Sequence, residues 1–371
     1  MTPVWTVPYT ALSKEATTLK KDYLDAFEKV LLSGRYIMGP ELSAFEQEFA
    51  EYCQSPFAVG VATGTDALFL VLRSLELQNG DEVITAPNSF IASASSIALA
   101  GAKPVFVDIR SDGNMDPERL EESITPRTKA IMPVHLTGRP AQMPAILEIA
   151  KKHNLFVLED AAQSVGACLN KIKVGGWGDA ACFSLHPLKN LRAIGDGGII
   201  TTKHQWLCDR LKQARNHGLV NREQCDFWSY NSRLDELQAA LLRVQFRQLE
   251  SQTEKRRQLA LRYNDLLRPC VTVPDEGPGE YCVYQTYVIL AERRDELKKY
   301  LNDNGVEALV HYSTPIHMQP AAKYLGYTLA DFPKTMQQVS RILSLPIYPG
   351  LTHAQQDHVV TLIRSFFKER T

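Results

Sequence analysis

The sequence predicts an α/β fold: a large, mostly parallel sheet of seven strands flanked by helices, with a smaller C-terminal α+β domain after it. Three observations carry this. From Phe57 onward, short and nearly continuous apolar runs alternate with segments of helical length, the pattern of parallel strands covered on both faces. Two further apolar runs, Ala180–Leu185 and Gly198–Thr202, follow without a helix between them, so part of the sheet is expected to be antiparallel. After Trp206 the alternation gives way to helical periodicity.

Taken in order, Leu19, Tyr23, Ala26, Phe27, Val30 and Leu31 recur at helical spacing between Lys14 and Ser33, and Gly34 stands where a C-terminal cap belongs. A short helix is expected over Leu42–Tyr52. Strands are expected at Phe57–Ala62, Glu82–Ala86, Pro104–Asp108, Ala130–His135 and Phe156–Glu159. Between and after them, helices are expected at Thr65–Leu77, Ser89–Ala100, Pro117–Ile124 and Gln142–His153. Helical periodicity returns over Leu207–Asn216, and a polar, aromatic stretch at Gly218–Ser232 interrupts it. One long helix is expected from about Asp235 to Leu266, then a linker at Pro269–Tyr281 and a new pattern from Val283 to Leu290. Helices near Arg294–Asn304, Lys334–Leu343 and His353–Lys368 complete the tail. The chain divides on this reading into residues 1–250, the large domain, and 251–371, the small one.

With 371 residues, a sizeable core needs no staples. Lys and Arg total 41 against 42 Asp and Glu, a formal net charge of −1. No global positive field advertises nucleic acid, so the expected partner is a small molecule. Seven widely spaced cysteines without a C-x-x-C argue against a disulfide framework or a thiolate zinc site and for reduced thiols in a cytosol. The opening residues lack the apolar core of a signal peptide, and no run reaches the roughly 18 apolar residues of a membrane helix. A cytoplasmic protein with no membrane span is expected. No H-E-x-x-H or other close ligand set suggests a metal, and neither Ser164 nor Cys182 has an oriented base beside it.

Three strand ends carry chemistry, and in open α/β sheets ligands bind beyond the carboxyl ends of the strands. Val59–Thr65, VGVATGT, leads from a strand into a helix; it is either a tight turn or a cup of free N–H groups for a phosphate. Asp160 ends FVLED; it either caps the next helix or is a buried acid that needs a partner. Lys189 follows the strand of ACFSLHPLKN; it either snorkels to the surface or is an enclosed amine able to form a Schiff base. Gly195-Asp196-Gly197-Gly198 comes next and allows close backbone approach. A phosphate cup, an acid for a ring nitrogen and an amine for an aldehyde are what pyridoxal 5'-phosphate asks for.

These residues resemble a known family. ATGTDAL at 62–68, FVLEDAAQSVGA at 156–167, FSLHPLKNL at 183–191 and GDGG at 195–198 look like the DegT/StrS-type sugar aminotransferases, as do YNSRLDELQAA at 230–240, VHY at 310–312 and LSLPIYP at 343–349. The resemblance covers nearly the whole chain in order. It implies an aspartate aminotransferase-like fold, a homodimer with shared active sites, and pyridoxal 5'-phosphate, with pyridoxamine 5'-phosphate as the half-reaction form. Carried over, Lys189 takes the position of the Schiff-base lysine. Asp160 falls on the acid at the pyridine nitrogen, and Gln163 on the residue beside the phenolic oxygen. Gly64, Thr65 and Ser184 fall on phosphate-binding positions, and Phe90 on an aromatic position that stacks on the ring. Asn231 matches an asparagine reaching the phosphate from the partner subunit, and His186 a variable position near substrate.

The function implied is transfer of an amino group from L-glutamate (or glutamine) to a nucleotide-linked keto sugar. The Asp of GDGG leans towards amination at C3, while His186 pulls towards C4. Arg222, with Asn221, Trp228 and Tyr230 in the loop, suits a diphosphate and a base or sugar face. His311 is a further candidate for substrate contact; it, His135 and His317 can equally be structural. The acid that many relatives carry in the segment Phe332–Gln338 is missing. The alternatives are an aminotransferase for a non-nucleotide keto sugar, a pyridoxamine-dependent sugar dehydratase, and a non-catalytic regulator on the same fold. Lys189 opposes the dehydratase, in which histidine takes that position, and intact Lys189, Asp160 and Gln163 oppose the regulator.

Overall fold

The computed structural model describes residues 5–368. Three helices open the chain: α1 (Leu12–Thr18), α2 (Lys20–Ser33) and α3 (Pro40–Tyr52). The single helix expected over Lys14–Ser33 is thus two, broken at Leu19, whose backbone leaves the helical region (φ −104°, ψ 7°). Gly34 ends α2 in the left-handed conformation, as its position suggested. Helix α3 begins at a proline and lacks a side-chain cap of its own. Instead, the Glu236 carboxylate, nearly 200 residues downstream, accepts from the N–H groups of Gly39, Glu41 and Leu42. A Cβ at Gly39 would lie 2.6 Å from that carboxylate.

The alternation follows as β1 (Phe57–Val61), α4 (Gly64–Ser74), β2 (Glu82–Thr85), α5 (Ala92–Leu99), β3 (Lys103–Phe106), β4 (Thr128–Met132), α6 (Met143–His153) and β5 (Phe156–Asp160). The helix expected at Pro117–Ile124 is two 3₁₀ turns, Pro117–Arg119 and Glu121–Ser123. Its backbone bonds close over three residues, Leu120 N–H to Pro117 and Ile124 N–H to Glu121, and the chain turns extended at Ile124 (φ −81°, ψ 128°), so neither turn propagates. Next come β6 (Cys168–Leu169), β7 (Ile172–Lys173), β8 (Ala180–Ser184), β9 (Gly198–Thr202) and α7 (Gln205–Ala214).

Seven strands form one sheet in the order β1-β9-β8-β5-β4-β2-β3. Only β9 runs antiparallel to its neighbours, β1 and β8, which is the partly antiparallel region the sequence suggested. Alternate residues of each strand enter opposite cores: Val83 and Leu158 pack with α4 and α7 residues such as Leu68 and Leu207, whereas Ile84 and Val157 pack with Ile146 of α6. On the far half, Phe45 and Phe49 of α3 meet Phe183 of β8, with Phe49 and Phe183 edge to face at 5.0 Å.

The remainder is α8 (Glu236–Phe246), α9 (Leu249–Leu267), β10 (Glu280–Tyr281), β11 (Tyr287–Leu290), α10 (Arg294–Asp303), α11 (Pro333–Val339), β12 (Ile342–Leu345) and α12 (His353–Lys368). The long helix expected from Asp235 is two helices, and the one expected over Lys334–Leu343 stops at Val339, with its last residues in β12. Strands β11 and β12 pair antiparallel under α9, α10 and α12 in a separate core that contains Tyr263, Tyr287, Leu297 and Ile363. Val7 and Ala11 belong to that same core, and Val7 bonds to Gly305 and Glu307 as a one-residue parallel bridge. The segment from Val7 to Ala11 is therefore a strap laid on the C-terminal layer.

Candidate active site

A cavity of about 580 Å³ opens at the carboxyl ends of the parallel strands. The sheet reaches it through Thr63, Gly64 and Thr65 after β1, Ser89 and Phe90 after β2, Val134 after β4, Asp160 closing β5, and Ser184 closing β8. The loop after β8 adds His186 and Lys189, and the C-terminal layer adds His311, Tyr312 and Tyr348. Across the top runs the strap, with Tyr9, Thr10, Leu12 and Glu15 in the wall.

The turn into α4 presents the open start of a helix to the cavity. Thr63 caps the helix, its Oγ1 accepting from Asp66 N–H at 2.9 Å. The first N–H groups, of Gly64 and Thr65, have no partner inside the helix and stand at the positive end of its dipole. Gly64 is required here, because a Cβ would lie 2.7 Å from Ser184 Cβ. The two loops touch, which brings the Ser184 hydroxyl beside the helix start.

Asp160 is 4% exposed. Ser93 donates to its Oδ2 at 2.6 Å and Ala162 N–H to its Oδ1 at 3.2 Å. Burial pushes the carboxyl above its usual range, while Ser93, the Ala162 amide and the Lys189 charge pull it back. Burial likewise lowers the Lys189 amine, against the pull of Asp160. A buried acid and an enclosed amine, each perturbed by desolvation in one cleft, mark a functional site. Gln163 is oriented: its Oε1 accepts from Thr137 N–H at 2.6 Å, which leaves the amide NH₂ as a donor. His311 is held neutral, its pKa lowered to about 4 by burial and then by the Lys189 charge, and its Nδ1 shares a hydrogen bond with Ser344 Oγ at 2.9 Å.

Behind the cavity, His135 Nε2 meets Glu159 at 2.9 Å with both side chains fully buried, and its Nδ1 accepts from Ala141 N–H. His135 is therefore structural. His317 is also enclosed, against Phe106 and Phe332.

Of the residues singled out from sequence, Gly64, Thr65, Phe90, Asp160, Gln163, Ser184, His186, Lys189 and His311 line this one cavity. Asn231 and Arg222 do not; both are exposed on the segment after α7. That segment is tied by antiparallel bridges at Asn216–Asn231 and Leu219–Cys225, and Ser232 docks it on the α4 turn through Asp66 at 2.6 Å. Sequence reasoning missed Ser93, Tyr9, Glu15, Arg192 and Arg256. Two other cavity residues had a signal: Tyr312 inside the VHY motif and Tyr348 inside LSLPIYP. Among the described residues no group of three or more His, Cys, Asp or Glu could hold a metal, and no helix is long and apolar enough to cross a membrane.

The donor set fits pyridoxal phosphate. The buried Asp160 lacks a cationic hydrogen-bond partner, which a protonated ring nitrogen supplies; an amine stands free for an aldehyde; and a helix start cradled by glycine suits the phosphate. Fold and site together define a transaminase of the pyridoxal-phosphate class. The chain belongs to the DegT/DnrJ/EryC1/StrS aminotransferase family, whose family model matches residues 17–364. It is 42% identical over 367 residues to the "pleiotropic regulatory protein" of Geobacillus stearothermophilus, covering 98% of this chain and 99% of that one. It is 40% identical to the dTDP-3-amino-3,4,6-trideoxy-alpha-D-glucose transaminase of Streptomyces venezuelae, covering 97% and 96%. The crystal structure of S. venezuelae DesV in complex with a ketimine intermediate superposes with a TM-score of 0.95 at 39% identity, over 100% of both chains.

Proposed function

We propose that this transaminase moves an amino group from L-glutamate to C3 of a keto sugar carried on a nucleotide, and that it works as a homodimer. The observation that carries the chemistry is the pairing of a desolvated carboxyl and a desolvated amine, Asp160 and Lys189, in one cavity at the strand ends. When bound, pyridoxal phosphate supplies an electron sink for the carbon that loses or gains the amino group. Asp160, to which the Ser93 hydroxyl donates, would hold a proton at the pyridine nitrogen. Lys189, whose amine burial lowers, would hold the cofactor and, when released from it, would be placed to move a proton at the substrate carbon. Gln163 would offer its NH₂ to the phenolic oxygen, Gly64, Thr65 and Ser184 would hold the phosphate, and Phe90 would pack on the ring.

The dimer reading rests on apolar surface. Leu24, Phe27, Leu31 and Leu32 of α2 are exposed together with Tyr36, Ile37 and Met38 just after it, and so are Ile194 and Phe90, the latter in the cavity wall. Exposed apolar surface gathered on one segment of chain favours an interface. Trp228, 92% exposed, lies on the same segment as Arg222 and Asn231. In a dimer this segment is suited to reach a second copy's cavity, Asn231 at the phosphate and Arg222 at the sugar's diphosphate. C3 is favoured by Asp196 at the cavity rim and by the 3-amino product in the name of the Streptomyces relative.

A non-catalytic regulator is the second reading, prompted by the name of the Geobacillus relative. The geometry at Asp160, Gln163 and Lys189 argues for catalysis. The experiment is a panel of nucleotide-linked 3-keto and 4-keto sugars with glutamate, run beside free keto acids and non-nucleotide keto sugars. A 3-keto nucleotide sugar is expected to give the highest kcat/KM; a best acceptor without a nucleotide overturns the substrate class, and no transfer to any acceptor overturns catalysis.

A further inference from the structure

Two buried guanidiniums in the cavity wall have no part in the roles above. Arg192, three residues after Lys189, is 8% exposed, and its backbone N–H is fixed by Gln245 Oε1 at 2.9 Å. Arg256 of α9 is 7% exposed and donates from Nη1 to the Ile347 carbonyl at 2.8 Å. Both line the same cavity as Asp160 and Lys189. Glu15 of α1 reaches in from the strap to pair with Arg192 Nη2. Burial pushes Arg256 down to about 10; Glu15 opposes this and the Arg192 charge adds to it. Two enclosed cations therefore share one carboxylate. Of the cavity's other acids, Asp160 is committed to the ring nitrogen and Asp196 sits on the exposed rim.

A buried cation without a full complement of anions is costly, and a guanidinium fork receives a carboxylate bidentately. The element that brings Glu15 is weakly held: α1 has seven residues, none of them buried. Replacing Glu15 by another carboxylate conserves the ion pair, so the exchange costs little electrostatically. We propose that Arg192, backed by Arg256, is the group that binds a substrate carboxylate, and that Glu15 is a placeholder this carboxylate displaces. The inference rests on the transaminase reading. Two sources offer the chemistry: a carboxylate of the amino donor, or one on the sugar ring of the acceptor.

The test uses the cofactor-loaded protein and unreactive probes, read by titration calorimetry: glutarate for the donor, and UDP-glucuronate against UDP-glucose for a ring carboxylate. Arg192→Gln is expected to weaken one carboxylate probe by about tenfold or more and leave UDP-glucose unchanged. Arg192→Lys should recover part of the loss, and Glu15→Gln should tighten the same probe. A response to glutarate assigns the site to the donor, and a response to UDP-glucuronate alone assigns it to the acceptor. Unchanged affinity for both carboxylates in Arg192→Gln, an equal loss for UDP-glucose, or weaker binding in Glu15→Gln overturns the proposal. Because the probes do not react, intact binding without amino transfer counts against the activity alone.

Discussion

Ser93 Oγ donates to Asp160 Oδ2 at 2.6 Å and itself accepts from Ser89 Oγ at 2.8 Å. The serine pair replaces, with two hydroxyls from the loop and helix after β2, some of the hydration that Asp160 loses at the end of β5. It is still not enough, because burial dominates and holds the carboxyl above its ordinary range. A carboxylate left in that condition is stabilised by a cation arriving opposite it.

Asp160→Asn is accordingly expected to separate stability from function. Without cofactor, the variant should melt at or above the wild-type temperature near neutral pH. For an acid with a raised folded pKa, stability falls as pH rises past the ordinary carboxylate range, and the amide removes that loss. Turnover should fall at least by the factor that one charge-assisted hydrogen bond of about 1.5–3 kcal/mol represents. Calorimetry of the cofactor-free protein and steady-state kinetics check both halves.

Lys189 should be the residue that carries the cofactor. Borohydride treatment of the loaded protein, followed by peptide mass spectrometry, is expected to find the reduced cofactor on Lys189. Lys189→Ala should lose the visible absorbance band. Modification of any other lysine refutes the assignment.

Gly64→Ala tests the contact between the α4 turn and β8. The new methyl would lie 2.7 Å from Ser184 Cβ and 2.9 Å from its Cα, so backbone must move. Overpacking of this kind costs about 1–3 kcal/mol. The expected readout is weaker cofactor binding on fluorescence titration, accompanied by a lower melting temperature.

His311 gives the fold an acid-sensitive contribution. Its folded pKa is depressed to about 4 from 6.5, so the unfolded chain binds more protons between those values and stability falls as pH drops through that window. The full effect is about 3 kcal/mol. In His311→Asn, the slope of unfolding free energy against pH between 6.5 and 4 should flatten.

The proposed sharing of sites across a dimer predicts complementation. Lys189→Ala and Asn231→Ala subunits, each impaired alone, should recover activity when mixed and allowed to exchange. Demonstrated exchange without recovery is evidence against the role of Asn231 across the dimer.

The sheet was legible because its signal is local. Apolar runs and helix-length spacers name the strands of a doubly covered sheet, and a chemistry-bearing residue at a strand end can be found without knowing which strands are neighbours. Breaks in the helices were less legible. Arg247 (φ −61°, ψ −21°) and Gln248 (φ −101°, ψ −6°) both remain in the right-handed region between α8 and α9, so no glycine or proline marks the change of direction.

By itself, the sequence determined the layered α/β core, the strand-to-helix turn at Gly64 and Thr65, and the candidates Asp160 and Lys189, since each is written within one strand and the turn that follows. Only the tertiary structure decided that Val7 and Ala11 strap the C-terminal layer, that Ser93 supports Asp160, and that Glu15 pairs with Arg192 from 177 positions away. Contacts of that separation leave no period or spacing in the chain. They exist because burial in a shared core brings distant segments together, and desolvation then makes their charges depend on one another.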